Sequence, residues 1–333
     1  GLRGKTCVGT VFEELAFWRS EFSANPDYEI RTAIKPAMLT IKNSMLIGIS
    51  SVYAKRGLLF DQYKRYYGKS KGPLIWKSDT LTMNPTASKK EIEEQLKADP
   101  SKFKAEFLSE FRGDIESYLG IDDIERITEK GVQAREYKSR FSYSGFCDPS
   151  GGRVDSMTLG ISHRTAGKTG KAILDVLIEK RPPFSPESVV EEFALMLKRY
   201  RIDRIQSDRY AGAWVEAAFF KHDIKVDYSE LSASQIYENF IPVVMNEKAV
   251  LLDIKKLRTQ FSNLERKTQA GGKDKIDHPS GCHDDLCNAA VGSLLMSGTK
   301  KAGPRLRSIT SPEKGIDDDY EKMKHDGKWI DLF

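Results

Sequence analysis

Aspartates that close short apolar runs are the residues of this chain whose type and spacing point to chemistry. Asp148 follows the run Phe141 to Phe146 and opens the turn Asp148-Pro149-Ser150-Gly151-Gly152, and Asp208 follows Ile202 to Ile205. Asp284 and Asp285 stand in the first turn of an apolar helix. In an open α/β sheet, groups at strand C-termini converge on one crevice, and carboxylates at a helix N-terminus meet the positive end of the macrodipole. Carboxylates gathered in this way repel one another, and a bound cation keeps them ionised. All-oxygen donors select hard ions such as Mg²⁺ or Mn²⁺. Two such ions ~4 Å apart activate a water and stabilise the leaving oxygen of a phosphodiester. The chemistry indicated is hydrolysis by in-line displacement. Each residue taken singly has a plainer reading: a strand-end Asp serves as a turn or cap residue, and an Asp-Asp pair opening a helix is good capping. The ordered set, strand–Asp, strand–Asp, helix–Asp-Asp, carries the argument.

The rest of the chain must hold those carboxylates in place. Its 333 residues, 39% hydrophobic and 30% charged, suffice for two domains with cores of their own and suit a soluble globular protein. No apolar run approaches the ~20 residues of a membrane span, and the N-terminus carries no secretory pattern. Cys7, Cys147, Cys282 and Cys287 lack framework spacing, which suits a reducing cytosol. A net charge of +5 is compatible with a polyanionic partner without singling one out. The chain starts Gly1-Leu2-Arg3-Gly4 with no initiator methionine and runs at once into an apolar segment, so it reads as a piece of a longer protein.

Two α/β units are expected. In the first, Cys7 to Phe12 and Leu46 to Ser51 read as buried strands, and Arg56 to Tyr66 as a helix. Ser88 to Lys97 is a further helix, and Asp99-Pro100 both ends it and caps the next, Ser101 to Phe111. The polar stretch Arg126 to Arg140 is taken as the junction. In the second unit, Phe141 to Phe146, Met157 to His163, Ala172 to Ile178 and Ile202 to Ile205 are strands. Ser185-Pro186-Glu187 is expected to cap a helix reaching Tyr200, and helices follow at Ala213 to Phe220, Ser232 to Phe240, Ile254 to Arg266 and from about Cys282. The tail from Pro304 is charged and expected to be loosely attached.

The order of acidic sites matches a ribonuclease H-like architecture, and the motifs go further. Cys147 to Gly152, Asp155-Ser156-Met157-Thr158-Leu159, Ser207 to Gly212, Leu264-Glu265-Arg266, Ile276 to Pro279 and His283 to Ala289 resemble the nuclease domain of bacteriophage terminase large subunits. Val11 to Trp18, Ile49 to Gly57 and Trp76 to Pro85 resemble the end of the packaging ATPase of the same proteins, so the resemblance spans roughly residues 1 to 300. It implies an α/β chain in four parts: residues 1–125 the C-terminal part of a P-loop ATPase domain, 126–140 a linker, 141–300 a ribonuclease H-like nuclease with a central mixed sheet flanked by helices, and 301–333 a charged tail. It also implies metal-binding roles for Asp148, Asp208 and Asp285, with Asp284 and Asp155 as further members, and Mg²⁺ or Mn²⁺ as a two-metal cofactor. The expected function is endonucleolytic cutting of concatemeric double-stranded DNA during viral genome packaging. Double-stranded DNA, a terminase small subunit and a portal protein are the expected partners, with a ring of copies forming on the portal in the host cytoplasm.

The ATPase half departs from the family pattern. No G-x-x-x-x-G-K-[ST] loop is present, so nothing in this chain cradles ATP phosphates, and ATP turnover is expected only of the full-length protein. Glu13 stands where the family carries a magnesium-linked Asp, Glu14 is the expected water-activating residue, and Ser50 and Ser51 lie in the segment that would couple hydrolysis to movement. His278, Cys282, His283 and Cys287 invite a zinc reading, but the spacing fits no common finger. His283 has two readings, steadying a phosphate or water, or capping the helix. Lys255, Lys256, Arg258, Arg266, Lys267, Lys273 and Lys275 either line a DNA groove or form a solvated face. Gly271 to Lys275 reads as a loop tip, and Arg209 and Tyr210 as backbone contacts or partners of the acidic cluster. The rival readings are a transposase, integrase or junction resolvase on the same plan, and a non-catalytic DNA-motor module.

Overall fold

The computed structural model describes residues 5–20, 23–167, 170–208, 213–268 and 274–299. In chain order its elements are β1 (Gly9–Glu13), α1 (Pro26–Met38), β2 (Met45–Ile49), α2 (Gly57–Tyr66), α3 (Thr80–Met83), α4 (Lys89–Ala98), α5 (Pro100–Leu108), β3 (Ile115–Ser117), α6 (Ile121–Ile127) and β4 (Thr128–Glu129). There follow β5 (Tyr143–Asp148), β6 (Met157–Arg164), β7 (Ala172–Lys180), α7 (Pro186–Arg199), β8 (Arg204–Ser207), α8 (Ala213–Phe220) and β9 (Lys225–Tyr228). The last elements are α9 (Ala233–Met245), β10 (Ala249–Leu252), α10 (Lys255–Asn263), β11 (Glu265–Thr268), β12 (Asp274–Asp277) and α11 (Asp285–Thr299). They form two compact units, the first drawn from residues 1–118, 265–275 and 279–282, and the second from 119–264, 276–278 and the chain from 283 onward.

In the first unit β1 and β2 pair in parallel, from Gly9 opposite Met45 to Glu13 opposite Ile49. Phe12 and Leu15 pack on Ile34 and Met38 of α1 and on Leu58 of α2. The two strands were expected to be buried, yet Val11, Met45, Ile47 and Ile49 are exposed, because that cluster takes in Phe12 alone from them. Ser88 and Asp99 cap α4 and α5 through their side chains, as their positions before each helix dictate. The helix expected over Ile254 to Arg266 stops at Asn263, and Glu265 starts β11, which pairs antiparallel with β3. Glu265 is fully buried there, accepting from Tyr53 and Arg56 with Lys267 nearby, so its charge is matched where it lies.

The second unit is built on a seven-stranded sheet of order β4-β10-β7-β6-β5-β8-β9. β6 runs antiparallel to both its neighbours, and the remaining pairings are parallel, which makes the sheet mixed. Strand alternation sorts its side chains to two sides. Tyr143, Cys147, Met157, Leu159, Ile161, Val176 and Ile178 join one core with Val190, Phe193 and Leu197 of α7 and Val215 and Phe219 of α8. The residues between them face α11. There the backbones touch, for a Cβ on Gly160 would lie 2.3 Å from the Ala289 carbonyl oxygen, and one on Gly292 would lie 2.4 Å from the Phe146 ring. Small residues alone allow that approach, and the Ser162 and Ser293 hydroxyls bond across it at 2.7 Å.

Residues 126–140, expected as a linker, are tied into this unit. Thr128 and Glu129 pair with Leu251 and Leu252, the Arg135 amide bonds the Asp175 carbonyl, and the Arg135 guanidinium meets Glu129. Their polarity is that of an edge strand and its ion pairs, and the division falls after Tyr118 instead. The expected Ser185 cap also differs: its hydroxyl goes to the Glu187 carboxylate and not to a backbone amide.

Candidate active site

Strand register sets the first part of the site. Asp148 ends β5 opposite Thr158 of β6, and Thr158 stands opposite Glu179 of β7. Residues opposed across a sheet share a face, so Asp148, Thr158 and Glu179 form a row on the α11 side. On the other flank Cys147 pairs with Ser207, so Asp208 enters one step later, beside Asp148. The side-chain amide of Asn288 joins the two aspartates, lying 3.0 Å from Oδ2 of Asp148 and 3.4 Å from Oδ2 of Asp208.

Helix α11 supplies the second part. Thr158 Oγ1 donates to the Asp285 carbonyl at 2.8 Å, which fastens the first turn of the helix to the strand row. Asp284 Oδ2 accepts from the buried Tyr237 hydroxyl at 2.8 Å. Asp285 Oδ2 and Asn288 Oδ1 are buried, and neither has a hydrogen-bond partner among the described residues. Asp155 stands at the rim with His283 Nδ1 3.7 Å from its Oδ1, and His278 Nε2 lies 3.8 Å from Asp284 Oδ1.

The electrostatics follow from crowding acids into a partly buried recess. Burial pushes Asp148 well above the ordinary carboxylate range; the Asn288 amide opposes this, and the charges of Asp285, Asp284 and Asp208 reinforce it. Asp285 is pushed up to about 7, first by burial and then by Asp284, with His283 opposing and Asp155 and Glu179 adding. Asp284 is raised by burial against the Tyr237 bond. Burial would raise Glu179 too, but Lys256 and Ser156, each donating to Oε1, outweigh it and hold the carboxyl below its usual value. Glu179 thus keeps its charge more readily than Asp148, Asp284 or Asp285.

A hard divalent cation suits this donor set. Every candidate donor is oxygen, Asp285 Oδ2 has no hydrogen-bond partner among the described residues, and a cation would offset both the burial and the mutual repulsion that raise these carboxyls. As the side chains stand, the Asn288 amide takes up one oxygen from each of Asp148 and Asp208, and among the described residues no three His, Cys, Asp or Glu side chains enclose an ion.

Other sequence expectations fare differently. The zinc set does not assemble: Cys287 is fully buried with its thiol toward the Leu257 carbonyl. Four of the basic residues expected to flank the site are engaged in ion pairs, Lys256 with Glu179, Arg258 with Asp253 and Glu125, Arg266 with Asp274 and Lys267 with Glu265. Lys255 is exposed, while Arg209, Tyr210, Lys273 and the tail from 301 lie outside the described residues. Glu13 and Glu14 belong to the first unit, both exposed at the end of β1, with Glu14 in the left-handed region at φ 52°. Among the described residues no helix is long and apolar enough to cross a membrane. Glu179 and Asn288 were missed. Glu179 carries the same signal as Asp148, an acid directly after an apolar strand, whereas Asn288 acts only through tertiary placement.

A mixed sheet with acids at the ends of adjacent parallel strands, closed by a helix that carries two more, is a ribonuclease H-like plan. No protein-family model matches the sequence, and no curated protein matches it. The chain is similar in structure to large terminases and terminase nuclease domains of several phages. The HK97 bacteriophage large terminase is 14% identical with a TM-score of 0.44, over 88% of this chain and 71% of that one. A large terminase from a thermophilic bacteriophage is 13% identical with a TM-score of 0.43, over 90% and 72%. The large terminase nuclease from thermophilic phage G20c, solved with bound magnesium, is 12% identical with a TM-score of 0.43, over 53% and 95%.

Proposed function

We propose that the second unit is a metal-dependent endonuclease, the nuclease of a viral terminase large subunit, hydrolysing phosphodiester bonds of double-stranded DNA. The observation that carries this reading is the juxtaposition of Asp148 and Asp208 under one Asn288 amide, beside a buried Asp285 oxygen without a hydrogen-bond partner among the described residues. Glu265 of the first unit is matched by Arg56 and Lys267, whereas the hydrogen bond described for Asp148 comes from the neutral amide of Asn288. The sequence motifs from Asp148 to Ala289 support the same reading.

In this proposal Asp148, Asp208 and Asp285 hold Mg²⁺ or Mn²⁺, with Asp284 and Asp155 in support. Bound ions supply Lewis-acid stabilisation of the phosphoryl charge and lower the pKa of the attacking water. Thr158 and Asn288 fix where the carboxylates stand, and His283, beside Asp155 at the rim, is placed to steady a phosphate oxygen. The proposal extends to the longer protein: Glu13 and Glu14 serving ATP-driven DNA translocation once a phosphate-binding loop is supplied, small-subunit and portal partners, a ring of copies, and action in the host cytoplasm.

The test is cleavage of linear duplex DNA with Mg²⁺ or Mn²⁺, with chelator as control. Cutting that requires the metal and is lost in D148N, D208N and D285N is the expected result, and normal cutting by D148N ends the assignment. Preference for branched DNA, or strand transfer, would move the chain to the resolvase or integrase reading.

A further inference from the structure

We infer that Gln260 is a positioning residue that caps α11 in place of Asp284 and so leaves both aspartates to the site; the inference rests on the nuclease reading for its functional meaning. The first intrahelical bond of α11 runs from the Asn288 amide to the Asp284 carbonyl, which makes Asp284 the capping residue by position. An aspartate there ordinarily turns its carboxylate onto the amides two and three residues ahead. Those amides, of Leu286 and Cys287, instead both donate to Gln260 Oε1, at 3.0 and 3.2 Å. Gln260 reaches them from α10 and is 3% exposed, so water does not compete for the bonds.

The aspartates are thereby released. Asp284 Oδ2 is held by Tyr237, and Asp285 Oδ2 has no hydrogen-bond partner among the described residues. The choice of an amide is informative as well. Two converging N–H groups require the oxygen end of the side chain, and this leaves Gln260 Nε2 buried with no partner among the described residues. Such a loss is tolerated because a neutral acceptor satisfies the helix end without adding another negative charge beside Asp284 and Asp285. Remove it, and the two amides draw the nearest carboxylate back into an ordinary cap.

The test compares Mn²⁺ binding by calorimetry in the wild-type chain, Q260M and Q260E. Methionine keeps the length without the acceptor, and glutamate keeps the acceptor. Q260M should bind Mn²⁺ on the order of tenfold more weakly, in the range set by partners that orient metal ligands, while Q260E binds at least as well as wild type. A folded Q260M with unchanged Mn²⁺ affinity overturns the inference, even if it melts earlier. Should Q260M fail to fold, amide exchange in D284A decides: the Leu286 and Cys287 amides should keep their protection, and its loss means Asp284 is the cap. Absence of Mn²⁺ binding by the wild-type chain would count against the nuclease reading, whereas the exchange arm judges the capping in either case.

Discussion

Asn288 holds Oδ2 of Asp148 at 3.0 Å from a position one helical turn beyond Asp284. The bond presents a single amide to a carboxylate that burial has already raised far above its normal range, so the aspartate gains little from its own charge in the metal-free protein. Replacing it with Asn keeps the shape and an acceptor for Asn288. D148N should therefore melt higher than the wild-type chain without metal, by roughly 2–4 °C for each kcal/mol gained. If the proposed nuclease function holds, cutting should fall on the order of 10³-fold, since Asp148 would then be a metal ligand. Thermal melts beside a plasmid-nicking assay check both, and a D148N chain that melts lower would show the carboxylate to be structural.

Acidity should stabilise the metal-free protein across a defined window. The Asp285 carboxyl titrates near 7 when folded against about 4 when unfolded, so between these values the folded state holds more protons. Stability then falls as pH rises from about 4 to about 7, by an amount on the order of a few kcal/mol. Saturating Mn²⁺, which binds the ionised form, should flatten or reverse the slope. Calorimetry at pH 5, 6, 7 and 8 with and without Mn²⁺ reads this directly, and a metal-free melting temperature that climbs over the range contradicts it.

Lys256 and Glu179 give a third prediction. Lysine Nζ lies 2.7 Å from Oε1 of a carboxylate that is mostly buried. Lys256→Met should cost about 3 kcal/mol by leaving that carboxylate unmatched. Adding Glu179→Gln to it should recover most of the loss, so the pair is strongly non-additive in urea melts. Independent, additive losses would show that the two side chains do not depend on each other.

Gly160→Ala tests the close approach of sheet and helix. The added methyl meets the Ala289 carbonyl oxygen at 2.3 Å, an atom of the α11 backbone that cannot step aside. A loss of about 1–3 kcal/mol is expected from overpacking, accompanied by weaker Mn²⁺ binding, because Asp285 rides on the displaced helix. Unaltered stability would mean that helix and strand can separate freely.

Much of the second unit is legible in its sequence. The apolar runs Phe141 to Phe146 and Ile202 to Ile205, each with an aspartate close behind, overlap the strands Tyr143–Asp148 and Arg204–Ser207, while the mixed sheet was expected from the resemblance. Other features were hidden by their brevity or by distance along the chain. β4 has two residues, β3 has three, and β9, β10, β11 and β12 have four each, too short for alternation to stand out. The helical pattern over Ile254 to Arg266 runs on past Asn263 because Leu264 continues the apolar rhythm, although its backbone is extended. At the site, Asp148, Asp208, Asp284 and Asp285 could be named from local pattern. Gln260 could not, since nothing near it in sequence reveals that its oxygen ends at Leu286 and Cys287. Lys256 and Arg258 read as part of a basic face because Glu179 and Glu125 come from elements far away in sequence; Asp253, only five residues before Arg258, was a local signal that could have been used.

Backbone lying against backbone at Gly160 and Ala289 leaves the helix no slack to slide or tilt toward an incoming substrate. Any adjustment on the aspartate side of the pocket must then come from torsions within the side chains themselves. On the proposed nuclease reading, the spacing between Asp148 and Asp285 would then be set by packing, and would act as a gauge of ionic radius.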